Sequence, residues 1–326
     1  KKVFITGHTG FKGSWLCIFL NLLGARVTGY SLKPKTNPSL FEICKIKSLI
    51  HKSIIADTRN YKKLYSELKK SKASIVIHLA AQPLVRYSYS NPKETFDTNF
   101  LGTLNILEAI KHLNQVKRSV IITSDKVYDN SSNKVFREKD KLGGYDPYSA
   151  SKVCAEYLFS SYLNSFFFNS RQKLATARAG NVIGGGDFSE DRLIPDILKY
   201  YKKNKKVIIR NPKAVRPWQH VLEPLSGYLL LSYKLSKNNN LHGEAFNFGP
   251  NAKYVTTVEA LVKKLSLYLT GSKYIIEEND QLYESGLLKL NCDKAINVLG
   301  WSPVLDFDET IEFIAEWYDS YYKKSV

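Results

Sequence analysis

Along the first half of the chain, short runs of apolar and β-branched residues alternate with longer segments whose apolar positions recur at helical spacing. The runs are "KVFITG" (2–7), "RVTGYS" (26–31), "SIIAD" (53–57), "IVIHLAA" (75–81), "SVIITS" (119–124) and "LATARAG" (174–180). Continuous apolar runs of this length read as strands buried on both faces, and their alternation with helices predicts a parallel sheet covered on each side. Helices are expected from Tyr148 to about Phe168 and over "VLEPLSGYLLLSYKL" (221–235). Beyond Asn181 the pattern becomes irregular, with "GGGD", "NPKAVRPW" and "NFGPNAKY" as loop signals. The expected division is a sheet domain over 1–180, to which 217–247 returns, and a smaller substrate-binding domain built mainly from 181–326.

Ligands of an open parallel sheet bind beyond the carboxyl ends of its strands, so the residues there are the candidates for chemistry. Gly7, Gly10 and Gly13 follow the first strand and open an apolar helix. Three glycines in that place allow a tight turn, close approach of backbone to a pyrophosphate, and packing of helix on strand. A Rossmann-type doubly wound α/β fold with a dinucleotide site is the reading, and Thr9, Phe11 and Lys12 belong to the same turn. The spacing is G-x-x-G-x-x-G, which points to the short-chain dehydrogenase/reductase superfamily. No Asp or Glu occurs between Gly13 and Glu42 to hold the ribose hydroxyls of NAD. Ser31 can serve NAD there, whereas Lys33 or Lys35 would suit a 2′-phosphate. Asp57, with Thr58 beside it, is placed either to meet the adenine amine or to cap the next helix.

"DPYSASK" puts Tyr148 and Lys152 at i and i+4, on one helical face. A phenol with a reference pKa of about 10 becomes a usable base beside an ammonium and a cationic nicotinamide ring. "TSDKVYDN" places Ser124, Asp125 and Lys126 together at the tip of the fifth strand. An alcohol dehydrogenase needs only the Ser, Tyr and Lys, so the added acid and amine suggest a second chemical step.

Composition narrows the classes without changing this picture. The chain has 326 residues, 44% of them hydrophobic, and a net charge of +18. Much of that charge lies in runs such as "YKKLYSELKK" (61–70) and "KYYKKNKK" (199–206) that read as solvated helix faces. No aromatic-interleaved basic repeat or nucleic-acid motif accompanies them, so no nucleic-acid partner is expected. No apolar run approaches the ~20 residues that cross a bilayer and no secretory leader is evident, so a cytoplasmic protein without membrane attachment is expected. Cys17, Cys44, Cys154 and Cys292 show no C-x-x-C spacing and read as reduced thiols, with no metal site. Methionine is absent from the sequence.

The motifs "GHTGFKGSWL", "HLAAQPLVRYSYSNPKETFDTNFLGTLNILEA", "TSDKVYDN", "LGGYDPYSASKVCAEY", "ARAGNVIGGGDFSEDRLIPD", "RNPKAVRPWQHVLEPLSGYLLL" and "FNFGP" together resemble the nucleotide-sugar 4,6-dehydratases of the extended short-chain dehydrogenase/reductase class. The resemblance runs along almost the whole chain, and "GGGD…DRLIPD" and "RPWQHVLEPL" are specific to the members that act on CDP-glucose. It implies NAD as cofactor and oxidation at C4 by Tyr148, Ser124 and Lys152. Elimination of water across C5 and C6 then follows, with Asp125 as the acid. Where dTDP-glucose dehydratases carry Glu as the C5 base this chain has Lys126, and where the subfamily has Cys it has Val127.

The resemblance further implies that Asn99 orders the catalytic Lys152 through water, and that Leu79, Ala80 and Ala81 pass beside the nicotinamide ribose. Gln82, Arg86, Asn181, Arg192, Leu193, Arg216 and His220 are expected to face the nucleotide sugar, with Arg216 best suited to clamp a diphosphate. A homodimer or homotetramer is implied, as is a place in deoxysugar and surface polysaccharide biosynthesis. The alternatives are a 4-epimerase or another nucleotide-sugar dehydratase of the same fold. A dinucleotide-binding module without activity and a nucleic-acid-binding protein are more distant readings.

Overall fold

The computed structural model describes all residues except 132–133, 203–205, 210, 252–255, 269–273, 277–287 and 324–326. The basic run 199–206 and the motif stretches holding Arg210 and residues 252–254 therefore lie partly outside the described residues. The apolar runs become the strands β1 (Lys2–Thr6), β2 (Arg26–Ser31), β3 (Lys52–Ile55), β4 (Ile75–His78), β5 (Arg118–Ile122) and β6 (Lys173–Ala179). A seventh, β7 (Ala245–Phe248), completes one sheet in the order β7-β6-β5-β4-β1-β2-β3. Every neighbouring pair is parallel, with Val3 opposite Val27 on one side and Ile75 on the other. Strand order reverses between β1 and β4, and their carboxyl ends open the crevice where such sheets bind ligands.

Alternation along β1 feeds both faces of the sheet. Val3 and Ile5 pack with Leu16 and Leu20 of the first helix (Phe11–Leu22) and with Leu225, Tyr228 and Leu231 of the helix Leu222–Lys234. Phe4 points the other way, to Leu64, Leu68, Ile106, Ile110 and Phe159. A third core gathers Ile194, Ile197, Leu198, Leu261, Leu265, Ile311 and Ile314 from the later part of the chain. The helix Leu222–Lys234 belongs to the sheet.

Three elements differ from expectation. The run "IVIHLAA" stops being strand at His78; the N–H of Leu79 still bonds Thr6, and the backbone then leaves the sheet plane as a loop. The stretch "NFGPNAKY", read as loop, begins inside β7, because Ala245–Phe248 finds an open edge on β6. The long helix begins at Pro147, capped by Asp146, and widens into a π turn over Leu163–Phe167.

Three histidines are enclosed without a carboxylate partner. Burial pulls His8 down to about 4, His78 to about 3 and His220 to about 4. The unfolded chain takes up protons near pH 6.5 while the folded chain refuses them until about 4, so the unfolded state binds more protons in that window. Stability is expected to fall as pH drops from about 6.5 towards 4. A urea midpoint that stays level between about pH 7.5 and 5 would contradict neutral burial of these rings.

Candidate active site

The turn after β1 is built for close contact. Gly7 has φ of 80°, and a Cβ there would meet the Ala80 nitrogen at 2.8 Å; one on Gly13 would lie 2.0 Å from the Gly7 carbonyl oxygen. The helix Phe11–Leu22 starts at Gly10 with no side-chain cap and no acidic residue in its first turn. Its leading N–H groups therefore remain available to an anion. Lys12 adds a cation whose pKa falls to about 7, chiefly through burial and then through the neighbouring Arg192 guanidinium.

At the ends of β2 and β3 the adenosine side takes shape. The Thr9 hydroxyl meets Ser31 Oγ at 2.9 Å and donates to the Leu32 carbonyl at 2.8 Å. Asp57 accepts from the Arg59 backbone N–H and side chain, with a closest approach of 2.6 Å. The helix cap is Asn60, so the capping role open to Asp57 is taken by another residue. Thr58 is buried against Gly102. Lys35 pairs with Glu94 at 3.4 Å. This cradle, with its close backbone approaches and unshielded helix start, fits a dinucleotide.

Past β5 the chain makes one 3₁₀ turn, Asp125–Val127, capped by Ser124. Ser124 Oγ donates to Asp125 Oδ1 at 3.0 Å, and Lys126 Nζ lies 3.5 Å from the same oxygen. Asp125 is buried, and Gly180 makes room for it: a Cβ on Gly180 would sit 1.9 Å from Asp125 Oδ2. Gly180→Ala is therefore expected to cost turnover at least about 10-fold while leaving cofactor affinity unchanged. Equal loss of both, by kinetics and cofactor titration, would show general disruption instead.

Tyr148 opens the helix Pro147–Tyr162, its N–H held by Ser88 Oγ at 3.2 Å. Burial pushes its phenol up to about 12 against the hydrogen bond from Ser124. The expected phenolate is thus not favoured by the chain alone, because desolvation outweighs the Ser124 hydrogen bond and the Arg192 cation. Lys152 donates to the Ile122 carbonyl at 3.2 Å and is lowered to about 8 by burial, with Glu156 opposing.

Asn99 is committed to the backbone. It accepts from the Gln82 N–H at 2.8 Å and donates to the Gln82 carbonyl and to Ser151 Oγ. It fixes the Leu79–Gln82 loop against the helix that carries Tyr148 and Lys152. Gln82 likewise directs its amide to Leu84 and Thr95, which shapes the loop.

The remaining expected substrate residues separate into two groups. Arg192 donates to Asp187 at 2.8 Å and acts on both Lys12 and Tyr148, which places it at the cleft. Arg86 faces Asp191 at 3.7 Å across it, Leu193 starts the next helix, and Asn181 adopts a left-handed φ of 51° beside Gly180. Arg216 stands on the short strand Val215–Arg216 of the later domain, where it donates to the Val215 carbonyl. His220 is interior, its ring edge-on to Phe313 at 5.9 Å.

Sequence reading missed the ion pair behind this cluster. Arg178 on β6 and Glu156, one turn after Lys152, meet at 2.8 Å at about 5% exposure each, joined by Thr123, Thr176 and Tyr128. An Arg inside "LATARAG" was the available signal, since a cation in a buried strand requires a partner.

The family profile described as GDP-mannose 4,6 dehydratase matches residues 4–314. The CDP-glucose 4,6-dehydratase of Salmonella typhimurium is 47% identical over 98% of this chain and 91% of its own length. Among solved structures, the dTDP-glucose 4,6-dehydratase of Bacillus anthracis in complex with NAD superposes with a TM-score of 0.81 at 21% identity, covering 98% and 97% of the two chains. The UDP-glucose 4-epimerase of Stenotrophomonas maltophila reaches 0.86 at 21% identity over 99% of each. Dehydratase and epimerase thus share this backbone, and the profile match over most of the length assigns the chain to the GDP-mannose 4,6 dehydratase family of the extended short-chain dehydrogenases/reductases.

Proposed function

We propose that the protein converts CDP-glucose to CDP-4-keto-6-deoxyglucose, an NAD-dependent elimination of water. The observation that carries the reading is Asp125 and Lys126 at 3.5 Å on the same strand tip as Ser124, beside Tyr148 and Lys152. Oxidation and reduction at C4 alone would not use that pair. The 47% identity to the Salmonella dehydratase supports the same conclusion.

Gly7, Gly10, Gly13, Thr9, Ser31 and Lys12 hold NAD, with Lys152 and Tyr148 beside its nicotinamide. Bound there, NAD supplies the two-electron oxidation and its reversal, and ends the cycle as it began. Tyr148 takes the C4 hydroxyl proton, and Ser124, turning its one hydroxyl hydrogen away from Asp125, donates it to the same oxygen. The cationic ring and the Lys152 ammonium offset the burial that otherwise keeps the phenol protonated. The C4 ketone acidifies the C5 proton. Moving one proton from Lys126 to Asp125 makes a neutral amine, able to take the C5 proton, and a carboxylic acid, able to protonate the departing C6 hydroxyl.

Arg192 and Arg216 are assigned to the nucleotide diphosphate. A homodimer and a role in deoxysugar biosynthesis accompany this reading; exposed Phe100 and Tyr157, near and on the catalytic helix, support the former. The test incubates purified protein and NAD with CDP-glucose and, in parallel, with dTDP-, UDP- and GDP-sugars. Loss of one water from CDP-glucose is the expected result. An epimerised sugar of unchanged mass would overturn it.

A further inference from the structure

Behind the catalytic carboxylate lies a set of polar atoms that this scheme leaves unused. Asp125 Oδ2, Gln219 Oε1 and the Tyr228 hydroxyl are buried and have no hydrogen-bond partner among the described residues. All three belong to the surroundings of Gly180 and Phe248. The Asp125 carboxylate lies against Gly180. Gln219 Nε2 donates to the carbonyls of Gly180 at 3.0 Å and Phe248 at 2.9 Å, which fixes the oxygen end of its amide. The Tyr228 ring stands edge-on to Phe248 at 5.6 Å.

Tyr228 comes from the helix Leu222–Lys234 and is fully enclosed. Burial, then Tyr148 and Asp125, hold its phenol far above the ordinary range, so it keeps its proton. Native folds seldom leave buried polar atoms unpaired, and three in one region require an explanation. Their chemistry is complementary to a single water: the carboxylate and amide oxygens accept, and the phenol donates. A water can give two hydrogen bonds and receive one, which satisfies the set.

We propose that one internal water joins Tyr228, Gln219 and Asp125, making Tyr228 a positioning residue for the acid of the elimination step. The inference rests on the reading of Asp125 as that acid. With Oδ2 held from behind, Oδ1 is the oxygen that meets Ser124, Lys126 and the departing hydroxyl. Oxidation at C4 depends on Tyr148, Ser124 and Lys152 and does not need this anchor.

Tyr228→Phe removes only the hydroxyl oxygen and keeps the ring. In a single turnover with CDP-glucose, C4 oxidation, followed as reduced-nicotinamide absorbance, is expected to stay within about twofold of wild type, while water loss, followed by product mass, slows about 10–100-fold. An oxidised, undehydrated sugar is then expected to accumulate, and the same is expected of Asp125→Asn. A purely structural role would slow both steps together, and unchanged elimination would likewise overturn the proposal. High-resolution crystal structures supply an independent test that does not depend on the variant folding. Wild type should show a water within hydrogen-bond distance of all three atoms; its absence, or contact with one atom only, refutes the relay. Wild-type protein that leaves CDP-glucose intact would refute the activity, with the crystallographic test of the water still standing.

Discussion

Replacing Tyr148 with Phe is expected to lower kcat by about 10²–10⁴-fold with little change in KM, since it removes the group that takes the C4 proton. The ring occupies the first turn of its helix and is 7% exposed, and its backbone N–H is tied to Ser88. Phenylalanine keeps that packing, so the variant should unfold at the same temperature as wild type. Residual activity above about a tenth of wild type would remove Tyr148 from the proton transfer and shift attention to Ser124 or Lys126.

Arg178→Met should cost about 3–5 kcal/mol of stability, because it leaves the Glu156 carboxylate buried with only hydroxyl partners. Burial opposes the charge of both residues, yet their mutual attraction holds Glu156 below and Arg178 above the ordinary range. The double variant Glu156→Gln, Arg178→Met should recover part of the loss, since neither charge then remains unpaired. Denaturant titration measures both. A single-variant loss below about 1 kcal/mol would mean that water reaches the site and the pair is not enclosed.

The sheet was legible because its strands are short apolar and β-branched runs that alternate with segments of helical spacing. The glycine turn and Tyr148 with Lys152 were legible because local chain geometry brings each set together. The legible part ends where function depends on what lies opposite. Gly180 matters only because Asp125 projects onto it, and Tyr228 looks like one more apolar position in "SGYLLLS" until its hydroxyl is found near the acid. His220 illustrates the converse. A histidine between Gln219 and Val221 looks available in sequence, but Phe313, 93 positions later by residue number, stands against its ring. β7 was missed because a four-residue strand carries too little pattern without the edge that recruits it.

The Trp15 indole donates to the Gly185 carbonyl at 2.9 Å, and the Phe11 ring lies under Gly184, so the first helix is strapped to the loop that leads to Asp187 and Arg192. That strap ties the turn assigned above to the dinucleotide to the segment that carries Arg192. Were a bound sugar to steady that loop, linkage would require the two ligands to raise each other's affinity by the same factor. An enzyme that must exchange its cofactor every cycle would be slowed by such a fastening. One that returns its electrons to the same sugar is free to keep the door shut.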